Sequence, residues 1–136
     1  IDRSHCLSVS ALLESQLAEL EPEDQQLFLM EYGLEQSGLE RVIQTAYTVL
    51  GLQSFYTAGK KEVRAWTIEK GTKAPQAAGV IHSDFEKHFI RALAISTSEF
   101  IELEGWKSAK VKGKVRQEGK EYVMRDLDVV EFLIGS

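Results

Sequence analysis

Four titratable side chains stand at every second position of "IHSDFEKH": His82, Asp84, Glu86 and His88. On an extended chain that spacing sets all four on one face, a group able to hold a metal or to relay protons. On a helix the same spacing scatters them. A zinc site also draws its ligands from separate segments and needs further groups to orient them. The stretch leaves a helical pattern and crosses a loop, so a solvated or capping role is expected, and no metal site. "GTKAP", from Gly71 to Pro75, offers the glycine and lysine of a phosphate cradle. A P-loop needs Gly-x-x-x-x-Gly-Lys-Ser/Thr after a strand, so that backbone amides can wrap the phosphates. "GTKAP" is too short for that and reads as a turn followed by a helix start. Cys6 and the serines lack a Gly-x-Ser-x-Gly elbow, and His5 beside Cys6 points elsewhere on any regular element. No catalytic residue is expected, and the chain alone is not expected to hydrolyse a nucleotide.

A second pattern concerns charge. "KSAKVKGKVRQEGK" carries Lys107, Lys110, Lys112, Lys114, Arg116 and Lys120 against Glu118 alone. Lys110, Lys112, Lys114 and Arg116 alternate, so an extended run would place them on one sheet face with Val111 and Val115 on the other. Such a row could neutralise several phosphates, each adding to a salt-dependent affinity. It could equally be an edge strand guarded by lysines. Gly113 and the lack of stacking aromatics argue against base-specific recognition. The six cations are the candidate phosphate- or RNA-binding residues.

The elements that must position these groups follow from length and pattern. With 136 residues, 43% of them hydrophobic, the chain suits one domain, or a small domain with a helical annex. No apolar run approaches the roughly 20 residues of a membrane span, and "IDRSHCLSVS" is not a secretory signal. The missing initiator methionine suggests a piece of a longer protein. A single cysteine excludes an internal disulfide and fits a reducing, cytoplasmic setting. The net charge of −5 is unevenly spread: residues 1–51 carry two basic against nine acidic side chains, and residues 52–136 fourteen against twelve.

The first part reads as helical. Leu13, Leu17 and Leu20 share one face. Pro22, followed by Glu23 and Asp24, suits a first helical turn, and Gly33 a stop. Ser37 with Glu40 forms a capping box ahead of the stripe Leu39, Val42, Ile43, Ala46, Tyr47 and Leu50, which Gly51 closes. Beyond Gly51, "FYTAG" and "EVRAWTI" read as a hairpin turning at Gly59, Lys60 and Lys61. "PQAAGVIHSDF" reads as one helix and "FIRALAI" as a strand. Ser96 and Glu99 offer a second capping box, and "KVRQEGKEYVM" and "DVVEFLI" are closing strands with turns at 117–120 and 126–128. Trp66 reads as a partly buried anchor. The order suits a mixed sheet over one main helix, an α+β class.

Residues 55–92, "FYTAGKKEVRAWTIEKGTKAPQAAGVIHSDFEKHFIRA", closely resemble the C-terminal TGS domain of the YchF group of Obg-like P-loop ATPases/GTPases. "EGKEYVMRDLDVVEF", residues 118–132, resembles that domain's closing hairpin. The resemblance implies a β-grasp, ubiquitin-like fold for residues 52–136. Residues 1–51 would then be a short all-helical segment at the C-terminal end of a nucleotide-binding core that is not in this sequence. "LSVSALLE" falls where the last base-facing motif of that core lies, which would put Ser10 and Ala11 near a nucleotide base in the intact parent. The resemblance further implies a parent that binds ATP or GTP with Mg and associates with ribosomes. The TGS part would be a ribosome- or RNA-binding or regulatory module without cofactor or catalysis of its own, and the alternative is a lid or brace on the core in cis. His88 and Leu127 stand where the family pattern has glycine, and "EFLIGS" departs from the family's usual tail.

Overall fold

The computed structural model describes residues 6–59 and 62–135. The chain forms two compact units, Ile1–Leu50 and Gly51–Ser136.

The first unit contains helices α1 (Ala11–Ala18), α2 (Pro22–Glu31) and α3 (Gly38–Val49). Each begins where local chemistry satisfies or removes a backbone donor. Ser10 Oγ accepts the Leu13 amide at 3.4 Å, and Pro22 opens α2 where no donor is required. At α3, Ser37 Oγ accepts the Glu40 amide at 3.1 Å while Glu40 Oε2 accepts the Ser37 amide at 2.9 Å. Gly33, at φ +69°, ends α2: its amide reaches the Met30 carbonyl and the Leu34 amide the Leu29 carbonyl, the paired bonds of a Schellman turn. Glu14 ties α1 to α3, its carboxylate accepting the amides of Gly38 (2.6 Å) and Leu39 (3.2 Å). Among the described residues of this unit Leu17 and Leu29 are the buried leucines, whereas Leu39, Val42 and Ile43 remain 61%, 44% and 49% exposed.

The second unit is a five-stranded mixed sheet with helices, an α+β arrangement. Its strands are β1 (Leu52–Ala58), β2 (Val63–Glu69), β3 (Phe89–Ser96), β4 (Arg116–Glu118) and β5 (Asp128–Ile134), in spatial order β2-β1-β5-β3-β4. β1 is parallel to β5, and the other pairs are antiparallel. Successive strand residues point to opposite faces, which separates two cores. Phe55, Ala94 and Val130 join α4 (Ala74–Ile81) through Ala74, Ala77 and Ala78. Their neighbours Tyr56, Ile95 and Val129 join α6 (Thr97–Glu102) and α7 (Trp106–Val111) through Phe100, Trp106 and Ala109. The three alanines of α4 are fully buried and carry no bulk beyond Cβ, so the helix can lie close on the sheet.

Several expectations are corrected. The helix expected over residues 75–85 is two: His82 adopts extended angles (φ −158°, ψ 135°), ending α4, and a five-residue α5 (Ser83–Lys87) follows. The closing segments do not form a hairpin, because β4 pairs with β3 and β5 lies between β1 and β3. The sheet carries helices on both faces rather than one. Of the expected hairpin turn, Lys60 and Lys61 lie outside the described residues; Gly59 donates its amide to the Glu62 carbonyl at 2.9 Å.

The two departures at family glycines have different outcomes. His88 sits at φ −102°, ordinary for any residue, whereas Leu127 is held at φ +60°. Its backbone is fixed on both sides, with the amide donating to the Ser54 carbonyl at 2.8 Å and the carbonyl accepting from the Thr97 amide at 3.2 Å. The left-handed conformation costs a side-chain-bearing residue roughly 1–2 kcal/mol, and glycine gives back part of that through a more flexible unfolded state. With its side chain 48% exposed, Leu127 loses little packing on truncation. Leu127→Gly is therefore expected to stabilise the chain by about 0.5–1 kcal/mol, read as a raised midpoint in thermal unfolding.

Candidate functional site

The alternating cationic row is not a strand. Lys110 and Val111 lie in α7, Lys112 caps its C-terminus and Gly113, at φ +65°, turns the chain. The Gly113 amide reaches the Lys110 carbonyl (3.2 Å) and the Lys114 amide the Ala109 carbonyl (3.0 Å), which closes the helix. Tertiary anchors fix it there. Trp106 Nε1 donates to the Ala58 carbonyl at 2.9 Å, the Trp106 ring packs edge-on against Phe100 at 5.3 Å, and Ala109 is fully buried.

This geometry divides the six cations. Lys110 pairs with Glu131 at 3.1 Å and lies over the Trp106 ring at 5.6 Å. Lys114 pairs with Glu99 at 3.4 Å. The hydrogen bond from Ser96, with that from Lys114, holds the Glu99 carboxyl below the usual carboxylate range. Arg116 belongs to a half-buried network: Nη2 donates to Asp128 Oδ1 at 2.9 Å and to the Tyr122 hydroxyl at 3.1 Å, and Nε donates to Glu118 at 3.2 Å. The Tyr122 hydroxyl donates to the other Asp128 oxygen. Burial opposes the charge on Arg116, but its bonds to Asp128 and Tyr122 outweigh that and raise its pKa above the ordinary value. Lys107, Lys112 and Lys120 are exposed and pair with no carboxylate among the described residues. Two cations missed in the sequence, Lys70 and Arg125, share that condition. Lys73 bridges Val123, and the Met124 amide reaches the Thr72 carbonyl at 2.9 Å, bringing residues 70–73 beside 123–125. Lys73 itself is paired with Glu121 at 2.5 Å.

Burial and the Asp128 carboxylate push the Tyr122 phenol from 10.0 up to about 12. A folded-state pKa above the unfolded one means that the stabilisation is complete below pH 10 and is lost as pH rises toward about 12. Denaturation midpoints of the chain should therefore fall over that alkaline window, and Tyr122→Phe should remove this part of the decline.

In the first unit, Ser8, Val9, Ser10, Leu13, Gly38 and Arg41 are among the residues lining a cavity of about 300 Å³. Ser10 caps α1 and Ala11 opens it. Arg41, on α3, is a further cavity residue that no sequence motif marked. His82 Nδ1 accepts the Asp84 amide at 3.2 Å, and His88 Nδ1 lies 3.0 Å from the Asp84 carbonyl, so both histidines serve the ends of α5. Among the described residues, no three His, Cys, Asp or Glu side chains are grouped to hold a metal ion, and no helix is long and apolar enough to cross a membrane. Trp66 is half-buried, donates Nε1 to Thr57 Oγ1 at 3.0 Å and carries the Arg64 guanidinium 4.4 Å above its ring.

Residues 52–135 match the YchF-GTPase_C family, described as a protein of unknown function (DUF933). The chain is 50% identical over 131 residues to the ribosome-binding ATPase YchF of Bacillus subtilis (strain 168), covering 96% of the chain and 36% of that protein. It is 54% identical over 127 residues to the ribosome-binding ATPase YchF of Escherichia coli O157:H7, covering 93% and 35%. It is 47% identical over 127 residues to Obg-like ATPase 1 of Pongo abelii, covering 93% and 32%. The structure of the Schizosaccharomyces pombe YchF GTPase superposes with a TM-score of 0.79 at 37% identity, covering 92% of this chain and 33% of that one. The chain thus spans about a third of the relatives it matches. The match over the entire sheet unit, together with half-identical relatives across nearly the whole chain, shows that the chain belongs to the YchF-GTPase C-terminal family.

Proposed function

We propose that this chain is the ribosome-binding part of a YchF-type ATPase/GTPase of the cytoplasm, and that its sheet unit is a TGS β-grasp module. In this reading the module holds RNA phosphates through Lys107, Lys112 and Lys120, without a cofactor or catalysis of its own. The observation that carries it is the division of the cations: three are bound to carboxylates of the fold, and three are exposed and unpaired among the described residues. An unpaired surface ammonium can exchange its counterions for phosphates at no cost to an internal ion pair. The name of the relatives, ribosome-binding ATPase, supports the ribosome as partner. Cosedimentation of the chain with purified ribosomes tests it. Retention that falls steeply with added salt is expected, and no retention at low salt would refute it.

A second reading concerns the helical unit. Leu39, Val42 and Ile43 on α3 are exposed, and Ser8 and Ser10 line a cavity. Both features suit a segment that packs on a nucleotide-binding core, with Ser10 and Ala11 near the base of ATP or GTP bound with Mg in the parent. Adding the core should then protect α3 from hydrogen exchange; unchanged exchange there would exclude a brace.

A further inference from the structure

On the sheet face that carries α6 and α7, a cavity of about 470 Å³ lies beside Trp106, within the roughly 300–1,000 Å³ usual for small-molecule sites. The strands supply its floor. Ala58 of β1 stands opposite Val63 of β2 in the register, and Tyr56, two residues before Ala58, packs in the core under α6 and α7. Period two therefore sets Ala58 and Val63 on that same face. Phe100 and Trp106 supply the wall, their rings edge-on at 5.3 Å. The indole N–H is already donated to the Ala58 carbonyl at 2.9 Å, so Trp106 offers the cavity hydrocarbon rather than a donor. Floor and wall are thus apolar.

Charge selects the ligand. Among the described residues that line the cavity, the charged side chains are Lys110 and Glu131, 3.1 Å apart and each about half exposed. Glu131 shares the face of Val129, two residues before it on β5, and Lys110 is held from the other side by the Trp106 ring at 5.6 Å. A ligand with one charge would attract one member of this pair and repel the other. A zwitterion suits both, its carboxylate on the ammonium and its ammonium on the carboxylate, so that four charges alternate in a ring. Because Lys110 and Glu131 touch, the two charges of the ligand must sit as close together as they do on a single α-carbon. A dipeptide sets its ends further apart, by roughly 3.3–3.6 Å for the added residue. The side chain of the ligand then leaves water among Trp106, Phe100 and Val63, which favours an apolar one. We propose that this cavity binds a free α-amino acid with an apolar side chain, its carboxylate on Lys110 and its ammonium on Glu131. The site is separate from the exposed lysines assigned to the ribosome.

Titration of the 136-residue chain with L-leucine and with L-phenylalanine, followed by NMR at the Trp106 indole N–H, tests this. The signal should move, with half-saturation at about 0.1–5 mM, as suits so small a ligand. N-acetyl-leucine, which lacks the ammonium, and leucinamide, which lacks the carboxylate, should each bind roughly tenfold more weakly or worse. Glycine, with no apolar side chain, should lose about as much. Lys110→Gln and Glu131→Gln should each weaken leucine binding roughly tenfold while leaving circular dichroism unchanged, since a half-exposed ion pair contributes little to folding. A Trp106 signal that neither amino acid moves at tens of millimolar would overturn the proposal. So would N-acetyl-leucine and leucinamide binding as well as leucine, or leucine binding that both glutamine variants leave intact.

Discussion

Replacing Arg116 by alanine is expected to destabilise the sheet unit by about 3 kcal/mol. Asp128, at 3% side-chain exposure, is the buried partner, and Arg116, at 30%, is its main source of positive charge. Removing the guanidinium leaves Tyr122 as the remaining side-chain donor to the carboxylate, and frees Glu118 as well. A carboxylate stripped of its cation in a buried site loses several kcal/mol, because water cannot replace the lost donor. Arg116→Lys keeps the charge but not the fork that reaches Asp128, Tyr122 and Glu118 together, so it should recover only part of the loss. Both tryptophans, Trp66 and Trp106, lie in the sheet unit, so their fluorescence during urea unfolding reports it directly. A loss under about 1 kcal/mol would show that the network contributes little.

Alanine at Lys107, Lys112 and Lys120 together is expected to weaken ribosome binding roughly 30- to 100-fold at moderate salt. The slope of log affinity against log salt should fall by about 2 to 3, close to one per phosphate contact. Alanine at Lys110 and Lys114 should change affinity less than about threefold, since their ammonium groups are engaged by Glu131 and Glu99. The contrast matters more than either value. All five residues come from the same short lysine-rich stretch, so any effect of net charge alone would follow the number of lysines removed. Folding is not at issue in the first variant, because all three side chains are exposed and pair with no carboxylate among the described residues.

The parts of the structure legible in the sequence are those decided within a few residues. Ser37 with Glu40, Pro22 and Gly33 mark helix ends through bonds made inside one turn, and all three act there as expected. The hairpin of β1 and β2 follows from strict alternation against a short connection. α7 was not legible. Its cations mimic the period of a strand, but the helix is decided by Ala58, 48 residues from Trp106, and by the burial of Ala109. The break at His82 is equally hidden, since nothing before it forbids a helix and its ring caps the next one. The same limit governs the cationic site. Which cations are available depends on Glu131, Glu99 and Asp128, all distant in sequence from the residues they engage. His88 and Leu127 both stand where the family pattern has glycine, yet only Leu127 is left-handed, so the departure alone does not decide the backbone.

The most direct measurement is amide hydrogen exchange of the chain, free and bound to ribosomes. Contact through the unpaired cations should slow exchange across α7 and through the turn at 119–121, with α4 and α5 unchanged. Protection confined to α4 and α5, with α7 exchanging as in the free chain, would contradict the cationic surface as the point of attachment.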